Sequence, residues 1–403
     1  MLATVTTTTD PTPGTDTARA DTFHAVLAGV VTAVVGFSSS FAVVIAGLRA
    51  VGADASQAAS GLLAVSVTMG LGCIIFALAY KRPITIAWST PGAALLASSV
   101  APQGGFAVTV GAFIVTGALL AITGFVPALA AAVRRIPNSV ANAMLAGVLL
   151  TLCVAPFRDL QKSPIPIGAM IGVWAIAAIL IPRWAVPAAL VVVIIETIAS
   201  GGLASGAPIL PALVWVSPAF TPQAILALAL PLYLVTMTSQ NIPGVTVMKS
   251  FGYEVPLRPA LAYTGAATSL GAFFGGHAIN LSAIAAALAA GEEAGKDRNR
   301  RWIAALTCGI GYVLFGLTSQ LVVAAAQAAP PGLFAGLAGV ALLGSLAGAA
   351  SQALENQAER LPAITTLAVA ASGVQVFGIG SAFWALVIGG LLTALSRRVR
   401  KTL

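Results

Sequence analysis

Long stretches of this chain carry almost no charge, and that constrains its fold more than any motif does. The charge-poor runs are 22–48, 55–80, 83–133, 136–157, 163–182, 184–248 (interrupted only by Glu196), 259–291, 302–354 and 361–396. A membrane-crossing helix needs about 20 apolar residues, so runs of about 50 or more must fold back on themselves. Runs 83–133, 184–248 and 302–354 therefore hold at least two spans each, which sets a floor of about 12 spans. Dividing 259–291 and 361–396 raises the count to about 14. Composition agrees: 8% of the 403 residues are charged and 58% are hydrophobic, against about 25% charged in soluble domains. The sequence is that of an all-α polytopic membrane protein.

The net charge of +8 reflects topology rather than nucleic-acid binding. Lys81/Arg82, Arg134/Arg135, Arg183, Lys249/Arg258, Lys296–Arg301, Arg360 and Arg397–Lys401 fall at successive even numbers of spans. Setting Arg49, Arg158 and Lys162 aside, 17 of the 20 basic residues then share one face, Arg19 included. The positive-inside rule makes that face cytoplasmic and places both termini inside. Residues 1–21, rich in Thr and Pro, read as a disordered cytoplasmic lead-in without the basic start or cleavage site of a signal peptide. Cys73, Cys153 and Cys308 are scattered through apolar runs without C-x-x-C spacing. They read as packing residues, with no disulfide framework and no metal site.

The two halves share an order of punctuation. In the first, GFSSSF (36–41) interrupts an apolar helix, and KRPITIAWSTPGAALLAS (81–98) runs from a β-branched stretch through Ser-Thr-Pro-Gly into a small-residue helix. In the second, a helix ending in TMTSQN (236–241) precedes GAFFGGHAINLSAIAAALAAG (271–291), where an aromatic stretch meets Gly-Gly and then an Ala-rich helix. If 259–291 holds two segments, each has roughly 16 residues, too few for two full crossings at about 1.5 Å per residue. One segment must stop partway, as in transporters built from inverted repeats with broken helices.

Thr90 is placed to cap the first half-helix, with Pro91 at its first position. Asn280 or a nearby turn would cap the second, starting near Leu281. Two helix starts meeting near the midplane supply unpaired N–H groups and positive partial charge, an anion site without a buried Lys or Arg. A small carboxylate fits such a site, and a neutral, nucleobase-like ligand held by side-chain amides is the alternative. His277 lies inside the second break, and an ionisable group at membrane depth is a candidate for proton coupling; a neutral imidazole bonded to unwound backbone is the plainer reading. His24 sits at the mouth of the first span. Glu196 is a second proton-carrier candidate near the outer end of its span, where it can also simply reach the interface. Glu355 and Glu359 beside Arg360 read as a cytoplasmic loop. No G-x-S-x-G, H-E-x-x-H or G-x-x-x-x-G-K-[ST] motif occurs, so neither catalysis nor a cofactor is indicated.

The stretch TSQNIPGVTVMKSFGYEVP, with GGHAINLSAIAAAL and WSTPGAALLAS, resembles the benzoate/proton symporter family (BenE type), over essentially residues 22–396. The resemblance implies proton-coupled uptake of benzoate or a related aromatic acid across the bacterial inner membrane, with no cofactor. Through the related uracil-permease and sulfate-permease fold it further implies 14 segments in two inverted seven-span repeats, with strand/half-helix breaks in segments 3 and 10. A core domain (22–135 and 222–328) would move against a gate domain (136–221 and 329–403), and a homodimer would form through the gate. Carried onto this sequence, the site comprises Phe37, Ser38, Ser39 and Ser40 of segment 1, and Thr90, Pro91 and Gly92 of segment 3. Ser239, Gln240 and Asn241 of segment 8 and Gly276, His277 and Asn280 of segment 10 complete it. Phe37, with Phe273 or Phe274, would pack the aromatic ring, and Ile242-Pro243-Gly244 would end or bend segment 8. Nucleobase permeases carry acidic residues on segments 8 and 10, whereas this chain has amides and a histidine there. That difference suits an anionic substrate and leaves the proton route open. Another small organic anion or a nucleobase, an uncoupled anion channel and an intramembrane enzyme are the other readings.

Overall fold

The computed structural model describes residues 15–201 and 210–402. Most of the chain is helical: α1 (Thr15–Ser38), α2 (Phe41–Ala50), α3 (Ala55–Tyr80), β1 (Ile86–Trp88), α4 (Thr90–Ala97), α5 (Phe106–Phe125), α6 (Pro127–Arg135), α7 (Asn138–Asp159), α8 (Pro164–Leu180) and α9 (Ala185–Ala199) come first. There follow α10 (Pro222–Ser250), α11 (Leu257–Ala272), β2 (Ile279–Leu281), α12 (Ile284–Ala290), α13 (Trp302–Gly316), α14 (Ser319–Ala328), α15 (Leu333–Leu354), α16 (Arg360–Ala371) and α17 (Ser381–Thr402). Eight helices among the described residues are long and apolar enough to cross a membrane, and α13 with α14, bent by 54°, form a ninth candidate. Of the lead-in expected over 1–21, residues 1–14 lie outside the described residues, and from Thr15 the chain is helical.

The helices pack as two groups. In one, α5 lies along α11 and α3 along α13, with α1 against α13; in the other, α7 holds α15 and α16, and α17 packs on α16. Small residues let backbones approach, as membrane interfaces favour: a Cβ on Gly265 would lie 2.3 Å from Ala121 N and 2.5 Å from Gly117 O. The groups meet where α2 touches α15 and α4 touches α7, and along one flank of α10.

Contacts gather several basic residues at one end. Lys81 Nζ lies 3.9 Å from the Trp302 ring centre and Arg258 4.7 Å from that of Phe125. Arg82 donates to the Glu254 carbonyl, and Arg183 pairs with Glu293. Glu359, expected in an open loop, is buried instead: its carboxylate accepts from Ser139 (2.6 Å) and Arg397 (2.7 Å), tying the ends of α7, α16 and α17 together. At the other end, Lys162 pairs with Asp159 at 2.7 Å and Arg49 donates to Ala53 O.

Two segments pair a short strand with a short helix. β1 and β2 pair antiparallel, with Ile86 opposite Leu281 and Trp88 opposite Ile279, so the strand-to-helix units β1–α4 and β2–α12 run in opposite directions. Extended backbone at membrane depth survives only where protein satisfies it. Ser89 N donates to Ala278 O and Ser282 N to Thr85 O, extending the ladder. The outer edges are met by side chains. Ile86 N donates to Cys73 Sγ (3.1 Å), Ile279 N to Thr268 Oγ1 (3.1 Å) and Leu281 N to Asn241 Oδ1 (3.0 Å). Cys73 is thus more than the packing residue its sequence context suggests.

Candidate functional site

The strand ribbon fixes where the two half-helices begin. Ser89, one residue before the expected Thr90, caps α4: its Oγ accepts from Gly92 N at 3.1 Å, with Pro91 in the first turn. Proline needs no acceptor there, and the preceding Ser in extended conformation turns its oxygen inward. Thr90 instead donates to Ser40 Oγ (3.1 Å), which also accepts from Trp88 Nε1 (2.8 Å). Ser40 sits in the turn between α1 and α2, so the polar patch of the first span is tied to the start of α4. Ser38 and Ser39 donate back to Val34 O and Gly36 O. A Cβ at Gly92 would lie 2.5 Å from Leu232 Cδ1 and 2.7 Å from Ser89 Oγ, so the leucine and the capping hydroxyl would both have to shift.

Asn280 does not cap the second half-helix. It occupies β2, fully buried, and α12 begins only at Ile284, where Ser282 Oγ accepts from Ala285 N. In the orientation that satisfies both ends of its amide, Asn280 donates to Leu281 O (2.7 Å) and accepts from Ser89 N (3.0 Å). Phe273 and Phe274 also depart from expectation. They close α11 rather than forming an extended stretch, and both rings pack on Trp215, 4.7 and 5.6 Å between centres. Gly275 then takes φ +83, and Gly276 N donates to Gly271 O, which turns the chain into β2.

The TMTSQN cluster lies on a wide turn. Residues 237–241 form a π-helical turn inside α10, and a second spans 225–229. Such turns carry one extra residue and recur at functional sites. Ile242-Pro243-Gly244 does not end the helix, which continues to Ser250. Pro243 lacks an N–H and its ring crowds the carbonyl of the preceding turn; the widened turn directly before it absorbs that conflict. Within the cluster the side chains divide. Thr236 donates to Ser89 Oγ (3.0 Å), and Asn241 accepts from Leu281 N, so both brace the ribbon. Ser239 and Gln240 are half-buried, and their side chains make no hydrogen bond within the described residues.

His277 is 1% exposed, the Ser89 backbone lies against it, and neither ring nitrogen reaches a hydrogen-bond partner of good geometry. It is the sole ionisable side chain in 83–97, 236–248 and 277–290. Phe37, 5% exposed, is enclosed by Phe41, Trp88 and Phe315, with ring centres 5.6, 5.3 and 5.1 Å away. Glu196 stands apart, in the last turn of α9, a helix that packs on α1, α8, α14 and α15. Ser89, Thr268 and Trp88 were not singled out by the sequence; only Ser89, beside Thr90-Pro91, carried a local signal. No group of three or more His, Cys, Asp or Glu among the described residues could hold a metal.

Residues 20–395 match the family model described as benzoate membrane transport protein. An inner membrane protein of Escherichia coli (strain K12), YdcO, is 38% identical over 91% of this chain and 94% of its own length. The benzoate membrane transport protein of Acinetobacter baylyi is 29% identical over 91% and 93%. Among solved structures, the transmembrane domain of the cyanobacterial bicarbonate transporter BicA superposes with a TM-score of 0.57 at 16% identity, covering 93% of this chain and 97% of that one. SLC26A9 superposes with 0.61 at 15% identity, covering 93% and 66%. These two likenesses concern the fold.

Proposed function

The chain belongs to the benzoate membrane transport protein family and is a multi-pass membrane transporter, not an enzyme; on that premise we propose that it takes up benzoate or a related aromatic carboxylate together with protons. The observation that carries this reading is the antiparallel β1–β2 ribbon. It sets the start of α4 and the turn before α12 at one depth, with His277 buried against the Ser89 backbone and the Ser239 and Gln240 side chains without hydrogen-bond partners among the described residues.

The charge balance favours an anion. No Asp, Glu, Lys or Arg occurs in 83–97, 236–248 or 277–290, so nothing repels a carboxylate and no fixed cation traps it. The first-turn N–H groups of α4 supply positive potential, and Gln240 and Ser239 supply donors. Ser38, Ser39, Ser40, Thr90, Pro91, Gly92, Gly276 and Asn280 shape the surrounding wall, and Asn241 braces it. His277 would bind the proton that the carboxylate stabilises, so that anion and proton load together.

We read the elements as 14 segments in two inverted halves, with β1–α4 as segment 3 and β2–α12 as segment 10. The group of α1–α5 and α10–α14 is the core, and that of α7–α9 and α15–α17 the gate. The two meet through α2, α4 and one flank of α10, whereas residues 242–250 and 284–290 pack chiefly on each other, α1 and α13. Ile284 is 66% exposed there. This asymmetry supports a state closed on the charge-poor face and open toward the basic face, which the positive-inside rule makes cytoplasmic. Rocking of core against gate would reverse it. Accumulation of labelled benzoate in proteoliposomes, with and without an inward proton gradient, tests the reading. Saturable, gradient-driven accumulation is expected; conductance without saturation would mean a channel, and uptake indifferent to the gradient would remove the proton from the mechanism.

A further inference from the structure

A cavity of about 460 Å³ lies at the charge-poor end of the molecule, between residues 98–103 after α4, residues 221–228 at the start of α10, and residues 373–382 before α17. It is separate from the site above but stands on the same two elements. The eight residues of α4 put its far end about 12 Å from the Thr90 start at 1.5 Å per residue. Along α10, the cavity-lining first turns precede the 237–241 turn. The third wall belongs to the gate group, so the cavity straddles the boundary at which the two groups move.

Its lining has a definite chemistry. Gln103, Gln223 and Gln375 present amides, with no charged side chain in the wall; Thr221 Oγ1 already accepts from Ala224 N and Ser381 Oγ donates to Ala370 O. Two helices begin on it, α10 after its Thr221 cap and α17 at Ser381. Pro222 has no N–H, the Ala224 N–H is used by that cap and Gly380 O accepts from Phe383 N, which leaves the Gln223, Ser381 and Ala382 N–H groups without helical acceptors. The carbonyl end of α4 also reaches the cavity, but Ser98 and Ser99 both donate to Leu95 O and cover it. At the rim stands Phe377, 85% exposed. It holds φ +55 in the two-residue hairpin between Val376 and Ile379, a conformation a bulky residue rarely adopts. A ring is thus kept in the open at a position where glycine would be the unstrained choice.

We propose that this cavity is a second, outer binding site for the aromatic carboxylate, an antechamber that receives it before the core rocks. The ring packs on Phe377, and the carboxylate meets the amides of Gln223 and Gln375 and the two helix starts. The volume suits a small ligand with some water. The inference rests on the transport reading above and assigns residues outside its central site.

Sided transport tests it. The Q223A/Q375A double variant and, separately, F377G, which relaxes the left-handed backbone, are compared with the parent protein in right-side-out and inverted membrane vesicles. The expected result is a KM for benzoate raised about fivefold or more in right-side-out vesicles, Vmax within about twofold, and inverted vesicles unaffected. An unchanged KM in right-side-out vesicles, or an equal rise on both sides, would overturn the antechamber. If the parent protein itself does not accumulate benzoate, the transport reading fails first and the antechamber falls with it.

Discussion

Asn241 Oδ1 accepts the Leu281 backbone N–H at 3.0 Å, joining the π-helical turn of α10 to the last residue of β2 in the buried strand ribbon. The same side chain directs its amide nitrogen back to Thr236 O at 3.4 Å. A residue one position away from Gln240 in sequence is therefore structural, and the two should respond differently to substitution.

Asn241→Ala strands the Leu281 N–H where water cannot replace the lost acceptor. A buried unsatisfied donor costs about 1–3 kcal/mol. The variant should melt earlier in detergent, measured by thermal unfolding, and lose uptake along with stability. An unchanged melting temperature would show that the ribbon does not need this brace.

Gln240→Ala removes no protein hydrogen bond. Melting should stay at the parent value, while the KM for benzoate rises roughly 10- to 100-fold, as loss of a bond to a charged group implies. Equal KM values for variant and parent would take Gln240 off the ligand.

His277→Gln keeps a polar side chain of similar reach but cannot take up a proton. Gradient-driven accumulation should disappear, whereas benzoate counterflow between equal pH values persists. Full accumulation by this variant would place the proton elsewhere, with Glu196 next to be tested.

Gly265→Ala puts a methyl group 2.3 Å from Ala121 N and 2.5 Å from Gly117 O. Both are backbone atoms and cannot rotate away, so α5 and α11 must separate. Overpacking of this kind costs about 1–3 kcal/mol, and detergent melts of the variant should show the loss; a neutral substitution would mean the pair is loosely packed.

Asp54 opens α3 through a reciprocal capping box with Gln57, its carboxylate accepting from Gln57 N at 2.8 Å and from Ser56 Oγ at 2.6 Å. The Ser56 hydroxyl, then the Gln57 N–H, hold its pKa below the ordinary value. A depressed carboxylate pKa contributes stability that is present above the unfolded value, about 3.9, and lost as pH falls through the folded one. Asp54→Ala should cost about 1 kcal/mol at neutral pH. Asp54→Asn keeps the cap, so its stability should lose the part of the acid dependence that Asp54 carries; an unaltered acid profile would remove that linkage.

Much of the architecture is local and was legible. Uncharged runs of sufficient length must enter the bilayer, whatever their neighbours, because water is the only alternative partner for their surface. Thr90-Pro91-Gly92 and Gly275-Gly276 mark breaks for equally local reasons: a missing N–H, or a φ of +83 that glycine tolerates. The half-crossing within 259–291 followed from length alone. Other features required partners far away in the chain. Ser89 rather than Thr90 caps α4 because Ser40 claims the Thr90 hydroxyl side from 50 residues upstream. Proline at 243 reads as a helix end, but the extra residue in the preceding turn lets α10 run on. Phe273 and Phe274 look available for a ligand ring until Trp215 covers them. Sequence determined that the chain spans the membrane, that helices break at 90–92 and 275–276, and that no fixed charge lies at those breaks. Only the tertiary structure decided which polar groups are consumed in holding the ribbon and which stay free, because inside a bilayer a hydrogen-bond partner must come from whatever the fold brings within about 3 Å.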